Sequence, residues 1–255
     1  VARALDAAAE RWLAARGMDR IRGPINPVSE SWGFLKEGFD TPPVFMAPYN
    51  PSFYNGFMDR LGYGKAKDLL AYEGSPEKGY RIPARVERFE QHLLARHPEL
   101  SLRRLELRHL ERDAEAIWRI SNVSMADNWG FVPLERSELL DMIRRLKPIV
   151  DPDAVLFVED KGVPVGFALG FPDLNVILRA IGGRLLPFGF LRILLGAKKV
   201  KDHRLFGLAV MPEWQGRGLD VLLYLQPYRA LSHRIRRMEA NYILEDNRKI
   251  RNALE

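Results

Sequence analysis

The sequence predicts an α/β protein, and three stretches carry that prediction. Residues 154–170 hold two runs of apolar and aromatic residues around Asp160-Lys161-Gly162, the pattern of a β-hairpin. Residues 137–146 place Leu139, Leu140, Ile143 and Leu146 on one stripe of a helix. Residues 204–232 pass from an apolar strand through Gln215-Gly216-Arg217-Gly218 into a second helix.

The remaining elements follow in chain order. Ala4, Leu5, Ala8, Trp12 and Leu13 repeat at helical spacing, and Gly17 closes that helix. A short strand is expected over residues 20–25. Residues 27–52 are dense in Pro, Gly, Asn and Ser and read as ordered turns. A helix at 52–61, a strand at 66–72, a connection at 74–83 and a charged helix at 85–96 come next. From Ser101 a new pattern begins, with a strand around Leu102 and Leu105, helices at 113–121 and 137–146, and the hairpin. An insertion at 173–203 precedes the strand at 204–211, the helix at 219–232 and a last strand at 239–244. These patterns divide the chain into a unit at 1–84, a linker helix at 85–100 and a domain at 101–255. Helix 1–16 with strand 20–25 mirrors helix 219–232 with strand 239–244 at one constant offset, which suggests tandem units.

Composition narrows the chemistry. The 255 residues are 47% hydrophobic and 28% charged, enough to bury a core and too apolar for long disorder. With no cysteine, disulfides, thiolate metal sites and cysteine nucleophiles are excluded, and a cytoplasmic setting is the expectation. His92 and His97 are five apart, which does not match a metal-binding helix pair, and no Gly-x-Ser-x-Gly elbow occurs, so no metal and no hydrolase are expected. The net charge of +6 suits an anionic ligand; cations spread along the chain argue against nucleic acid. The chain opens and closes inside helical patterns, as a piece of a longer protein would.

The segment Leu205 to Asp220 carries the most chemistry. A buried strand enters a tight glycine loop that opens a helix. Glycines allow close backbone approach, and the first helical N–H groups lack intrahelical partners. With the helix dipole behind them they suit a diphosphate. Arg217 adds charge and Gln215 adds side-chain donors. No third glycine follows at the spacing of a dinucleotide fold, and no P-loop sequence occurs.

This stretch resembles the acetyl-CoA loop of the GNAT superfamily of N-acetyltransferases, a Gln/Arg-x-x-Gly-x-Gly/Ala pattern after a strand ending in Val-x-Pro-Glu. Gln215 and Gly218 match, while Asp220 stands where Gly or Ala is usual. The order of elements over 101–255 and Leu244-Glu245-Asp246-Asn247 add to the likeness. Residues 16–74 resemble the back half of another GNAT unit, and the whole resembles bacterial two-domain GNAT-like proteins. The resemblance implies a mixed, mostly antiparallel sheet flanked by helices. It also implies acyl transfer from acetyl-CoA or another coenzyme A thioester to a small-molecule amine or peptide.

Several site residues follow from the resemblance. Gln215, Gly216, Arg217, Gly218, Leu219, Asp220 and Asn247 would hold the coenzyme, and backbone amides of Leu208 and Val210 would hold pantetheine. The tyrosine that often protonates the leaving thiolate is replaced by Leu254. Tyr242 is a substitute donor or a packed strand aromatic; Glu159 is a base or an exposed strand-end carboxylate. Asn128 and Trp129 lie where GNAT proteins bind the acceptor, or pack their own segment. A non-catalytic acyl-CoA-binding module stays open beside the enzyme reading, as does a homodimer. The insertion at 173–203 is too broken and polar to span a bilayer. It reads as a helical flap, an acceptor-site wall or a lipid-facing surface edged by Lys198, Lys199 and Lys201.

Overall fold

A computed structural model describes residues 1–25 and 32–254; part of the expected turn region lies outside them. The chain divides into two compact units, Val1–Leu69 and Leu70–Glu255.

The first unit holds two helices, α1 (Ala2–Ala14) and α2 (Phe53–Leu61). Tyr63 donates its hydroxyl to Asp6 at 2.6 Å, and Val44 is buried. Asn50 accepts from the Leu35 amide at 2.7 Å, while Asn55 donates to the Leu35 carbonyl at 2.9 Å. Side-chain amides thus satisfy backbone groups that no sheet satisfies. The strand expected over 20–25 is absent; an isolated bridge from Ile25 to Trp32 is all that forms. Gly23-Pro24 accounts for this, because Pro has no N–H for a ladder and Gly favours extension weakly. The strand half of the tandem pattern is therefore missing.

The second unit is built on one six-stranded sheet in the order β1-β6-β5-β4-β3-β2. In chain order it comprises β1 (Leu69–Gly74), α3 (Ala84–Arg96), β2 (Leu100–Arg104), α4 (Leu110–Ser124), α5 (Arg136–Leu146), β3 (Val155–Asp160) and β4 (Val163–Pro172). Then follow α6 (Asn175–Ala180), α7 (Gly189–Gly196), β5 (Asp202–Val210), α8 (Leu219–Leu231), β6 (Arg237–Leu244) and α9 (Arg248–Leu254). β2, β3, β4 and β5 pair antiparallel, whereas β5 and β6 are parallel. The β3–β4 turn uses Lys161 and Gly162, both at positive φ (50° and 82°), as a tight two-residue hairpin requires.

Each face of the sheet carries a core. On one, Leu219, Leu222, Leu223 and Leu231 of α8 meet Leu156, Val158, Leu205 and Met238, with Leu93 of α3 in the same cluster. On the other, Ile117 and Ile120 of α4 and Leu139 of α5 cover Val155, Phe157, Phe167 and Ala209. α8 is apolar nearly all round, which fits a helix covered on several sides. Among the described residues no helix is long and apolar enough to cross a membrane.

Candidate functional site

The site begins with a gap in the sheet. β5 and β6 pair only from Asp202↔Arg237 to Leu205↔Ala240, yet β5 continues to Val210 and β6 to Leu244. Beyond Leu205 the two strands have parted. A bulge at Phe206 in the β4–β5 ladder helps turn β5, since Leu169 faces Gly207 while Gly170 already faces Leu205.

The backbone along this gap is oriented by alternation. The Met211 amide donates to Val165 on β4 at 2.8 Å, so residues of that parity face β4. Leu208 and Val210 then face the gap. Gln215 donates Nε2 to the Val210 carbonyl at 3.0 Å. One donor read from sequence as ligand-facing thus fastens the loop to the end of β5.

Below the gap lies the loop. Gly216 and Gly218 sit at φ 73° and 91°, a region costly for residues with a Cβ. The backbone N–H groups of Gly216, Arg217, Gly218, Leu219 and Asp220 have no hydrogen-bond acceptor among the described residues. Five consecutive donors without a protein acceptor at the start of a buried helix could receive an anion, as a cradle would. Nothing lies within 4 Å of where a Cβ on Gly216 would stand, so the cradle is open there. At Gly218 a Cβ would lie 2.3 Å from the ring of Phe89 on α3. Arg217 lies over the buried Trp214, 5.0 Å from its ring centre. Between loop and α3 is a recess of about 440 Å³ bordered by His92, Arg96, His97 and Arg217. Asp220 in the first turn of α8 faces the next turn, where its charge and, more strongly, burial push the Tyr224 hydroxyl up.

At the base of the gap a polar cluster appears that the sequence reading missed. Arg204, 1% exposed, donates Nε to Asn241 Oδ1 at 2.5 Å, and Asn241 Nδ2 donates to Glu239 at 2.5 Å. Arg204 and Glu239 face each other in the β5–β6 register. Burial raises the Glu239 carboxyl above its ordinary range, against the opposing pull of Arg237, Asn241 and Arg204. Burial likewise lowers the Arg204 guanidinium from its ordinary value. The Tyr242 ring lies 4.9 Å from that guanidinium, on the part of β6 bordering the gap. Charged residues at the starts of two strands that turn apolar further on were the available signal; the register that joins them was not visible.

The other expected residues lie elsewhere. Glu159 accepts from Arg103 Nε at 2.8 Å, and Arg103 also holds the fully buried Asp113 at 3.0 Å. It sits on β3, with β4 and β5 between it and the gap. Asn128 is exposed and Trp129 half-buried in the turn after α4, which leads to Leu134, held by Trp118 and Asn122. Asn247 caps α9 through an acceptor contact with the Ile250 amide at 3.3 Å. Leu254 packs against the α8-side core.

A strand, two helices, a hairpin, a strand leading through an anion loop into a helix, and a final strand that parts from its parallel neighbour complete the pattern. The chain has the GNAT fold. No family model matches it. It is 32% identical over 256 residues to a bacterial ceramide synthase of Caulobacter vibrioides, and 30% identical over 260 residues to the protein YghO of Escherichia coli K12. These alignments cover 97% and 99% of this chain, which spans only 66% of either relative. Among solved structures, a GCN5-related N-acetyltransferase of Sphaerobacter thermophilus superposes with a TM-score of 0.48 at 16% identity, covering 80% of this chain and 52% of that one.

Proposed function

We propose that this protein transfers an acyl group from a coenzyme A thioester to the nitrogen of an apolar amine. The parting of β5 from β6 directly above five free loop amides carries the reading. The loop would hold the diphosphate, and the backbone of Leu208 and Val210 would hold pantetheine as an added strand. The open cradle at Gly216 fits such a group, and the recess lined by Arg96 and Arg217 offers it charge. Coenzyme A supplies the thioester; a C–N bond forms and the C–S bond breaks. Glu239, half-buried at the base of the gap, would accept the proton of the attacking ammonium. Tyr242 would return a proton to the thiolate. The apolar acceptor is supported by the relative named a bacterial ceramide synthase.

A second reading keeps coenzyme binding without transfer. It is favoured by Leu254, which carries no proton where the resemblance implies a tyrosine, and by the Asp220 carboxylate beside the anion loop. Thiol release separates the two readings, and with no cysteine in the chain every thiol detected is coenzyme. Acetyl-CoA and palmitoyl-CoA would be offered with sphinganine, then with spermidine. Release that depends on the long-chain amine supports the proposal. Tight coenzyme binding with no release on either amine supports the second reading and overturns transfer.

A further inference from the structure

The insertion between β4 and β5 concentrates two properties on one surface. Residues 174–201 contain six basic side chains (Arg179, Arg184, Arg192, Lys198, Lys199, Lys201) and no acidic one. The other 33 of the 39 basic residues balance the 33 acidic residues, so this segment accounts for the whole net charge of +6. All six are exposed, and none takes part in an ion pair among the described residues. The acids that bracket the segment do not neutralise it. Asp173 and Asp202 are buried; Arg237 lies 3.8 Å and 3.2 Å from them, and Arg236 also holds Asp202.

The same segment turns large apolar side chains to the surface. Leu186 is 79% exposed, Leu195 74% and Phe188 68%, with Phe190, Leu191 and Leu194 less so. They are presented by a built element. A Cβ on Gly189 would meet the Arg184 carbonyl at 1.9 Å, and one on Gly196 would meet Ile177 of α6 at 3.0 Å. These glycines let α6, the turn and α7 close on one another. The segment is therefore a built ridge whose large exposed side chains are all apolar or cationic.

We infer that this ridge docks on an anionic lipid bilayer. Charge complementarity selects that occupant. A nucleic acid would use the cations but not Leu186, Phe188 and Leu195, whereas a second copy would bring six like charges against six. An anionic bilayer uses both, because apolar side chains enter the acyl boundary while lysine and arginine stay at the headgroups. At eight residues, α7 is far shorter than the hydrocarbon core, so the contact is superficial and nothing spans. This inference rests on charge and exposure and stands apart from the proposed acyl transfer.

Co-sedimentation of the whole chain with vesicles tests it. Phosphatidylcholine vesicles with phosphatidylglycerol should bind the protein, and phosphatidylcholine alone should bind it far less. Each cation near an anionic surface contributes about fivefold, so Lys198→Gln/Lys199→Gln/Lys201→Gln should weaken binding by roughly 100-fold. Leu186→Ser/Phe188→Ser removes side chains already in solvent, so folding is kept, and it should weaken binding by more than about tenfold. Arg145→Glu/Lys147→Glu, on exposed positions outside the segment, should bind nearly as wild type does. Wild type that ignores anionic vesicles overturns the inference. So do insertion variants that bind unchanged, a charge control that loses binding equally, or a ridge whose only effect is on self-association.

Discussion

Replacing Gly218 by alanine isolates what holds the anion loop in shape. Two effects oppose the new Cβ. The residue sits at φ 91°, and forcing an L-side chain into left-handed backbone costs about 1–2 kcal/mol. The Cβ would also lie 2.3 Å from Phe89 Cζ. That ring is 42% exposed on α3 and can swing aside, which costs about 1 kcal/mol in distorted rotamer and lost contact. Backbone strain is thus the larger effect, and the total is about 2–3 kcal/mol. Phe89→Ala alone should cost about 1 kcal/mol for a partly buried ring. The double variant should cost less than the sum by about 1 kcal/mol, because the clash disappears with the ring. Urea unfolding midpoints at unchanged slope measure all three. A neutral Gly218→Ala would refute the left-handed loop. Full rescue of Gly218→Ala by Phe89→Ala would refute backbone strain as the main constraint.

The other predictions concern charge. Burial raises the Glu239 carboxyl, so acyl transfer should fall as pH drops through a value above the usual 4.5, and Glu239→Gln should remove that limb and lower kcat by about 10²-fold or more. A raised folded-state carboxyl contributes stability at low pH that is lost as pH rises through its folded value. Glu239→Gln should therefore be at least as stable as wild type at neutral pH, in a thermal melt, while losing activity. Asp151 shows the opposite sign. Burial would raise it, but hydrogen bonds from His203, Arg234 and the Asp153 amide hold it well below the usual range. Its contribution should be present at neutral pH and fade as pH falls below about 3.8, and Asp151→Asn should cost about 3 kcal/mol in urea unfolding at pH 7. Arg96→Glu, bordering the recess beside the loop, should weaken coenzyme A binding in titration calorimetry with little change in melting temperature.

Local rules made much of the fold legible. The hairpin followed from Lys161-Gly162 between apolar runs, α5 from its leucine stripe, and the anion loop from glycines at the head of an apolar helix. What depended on distant pairing was not legible. Arg204 and Glu239 are 35 positions apart and meet only through the β5–β6 register, so the polar cluster at the gap could not be assembled from sequence. Glu159 sat at the end of a core strand, as a base would, but Arg103 on the neighbouring strand holds it. Gln215 was recognised by motif, and its contact with the Val210 carbonyl is a tertiary fact. The strand expected at 20–25 failed because Gly23-Pro24 outweighed a short run of extended-favouring residues.

Titration calorimetry of coenzyme A into the wild-type chain and into Arg217→Glu tests the central claim most directly. Arg217 is exposed at the loop, so its reversal leaves the core intact while placing a carboxylate among the free amides. The account predicts saturable binding to wild type, weakened at least about tenfold in the variant. No binding to wild type, or equal binding to both, would contradict it.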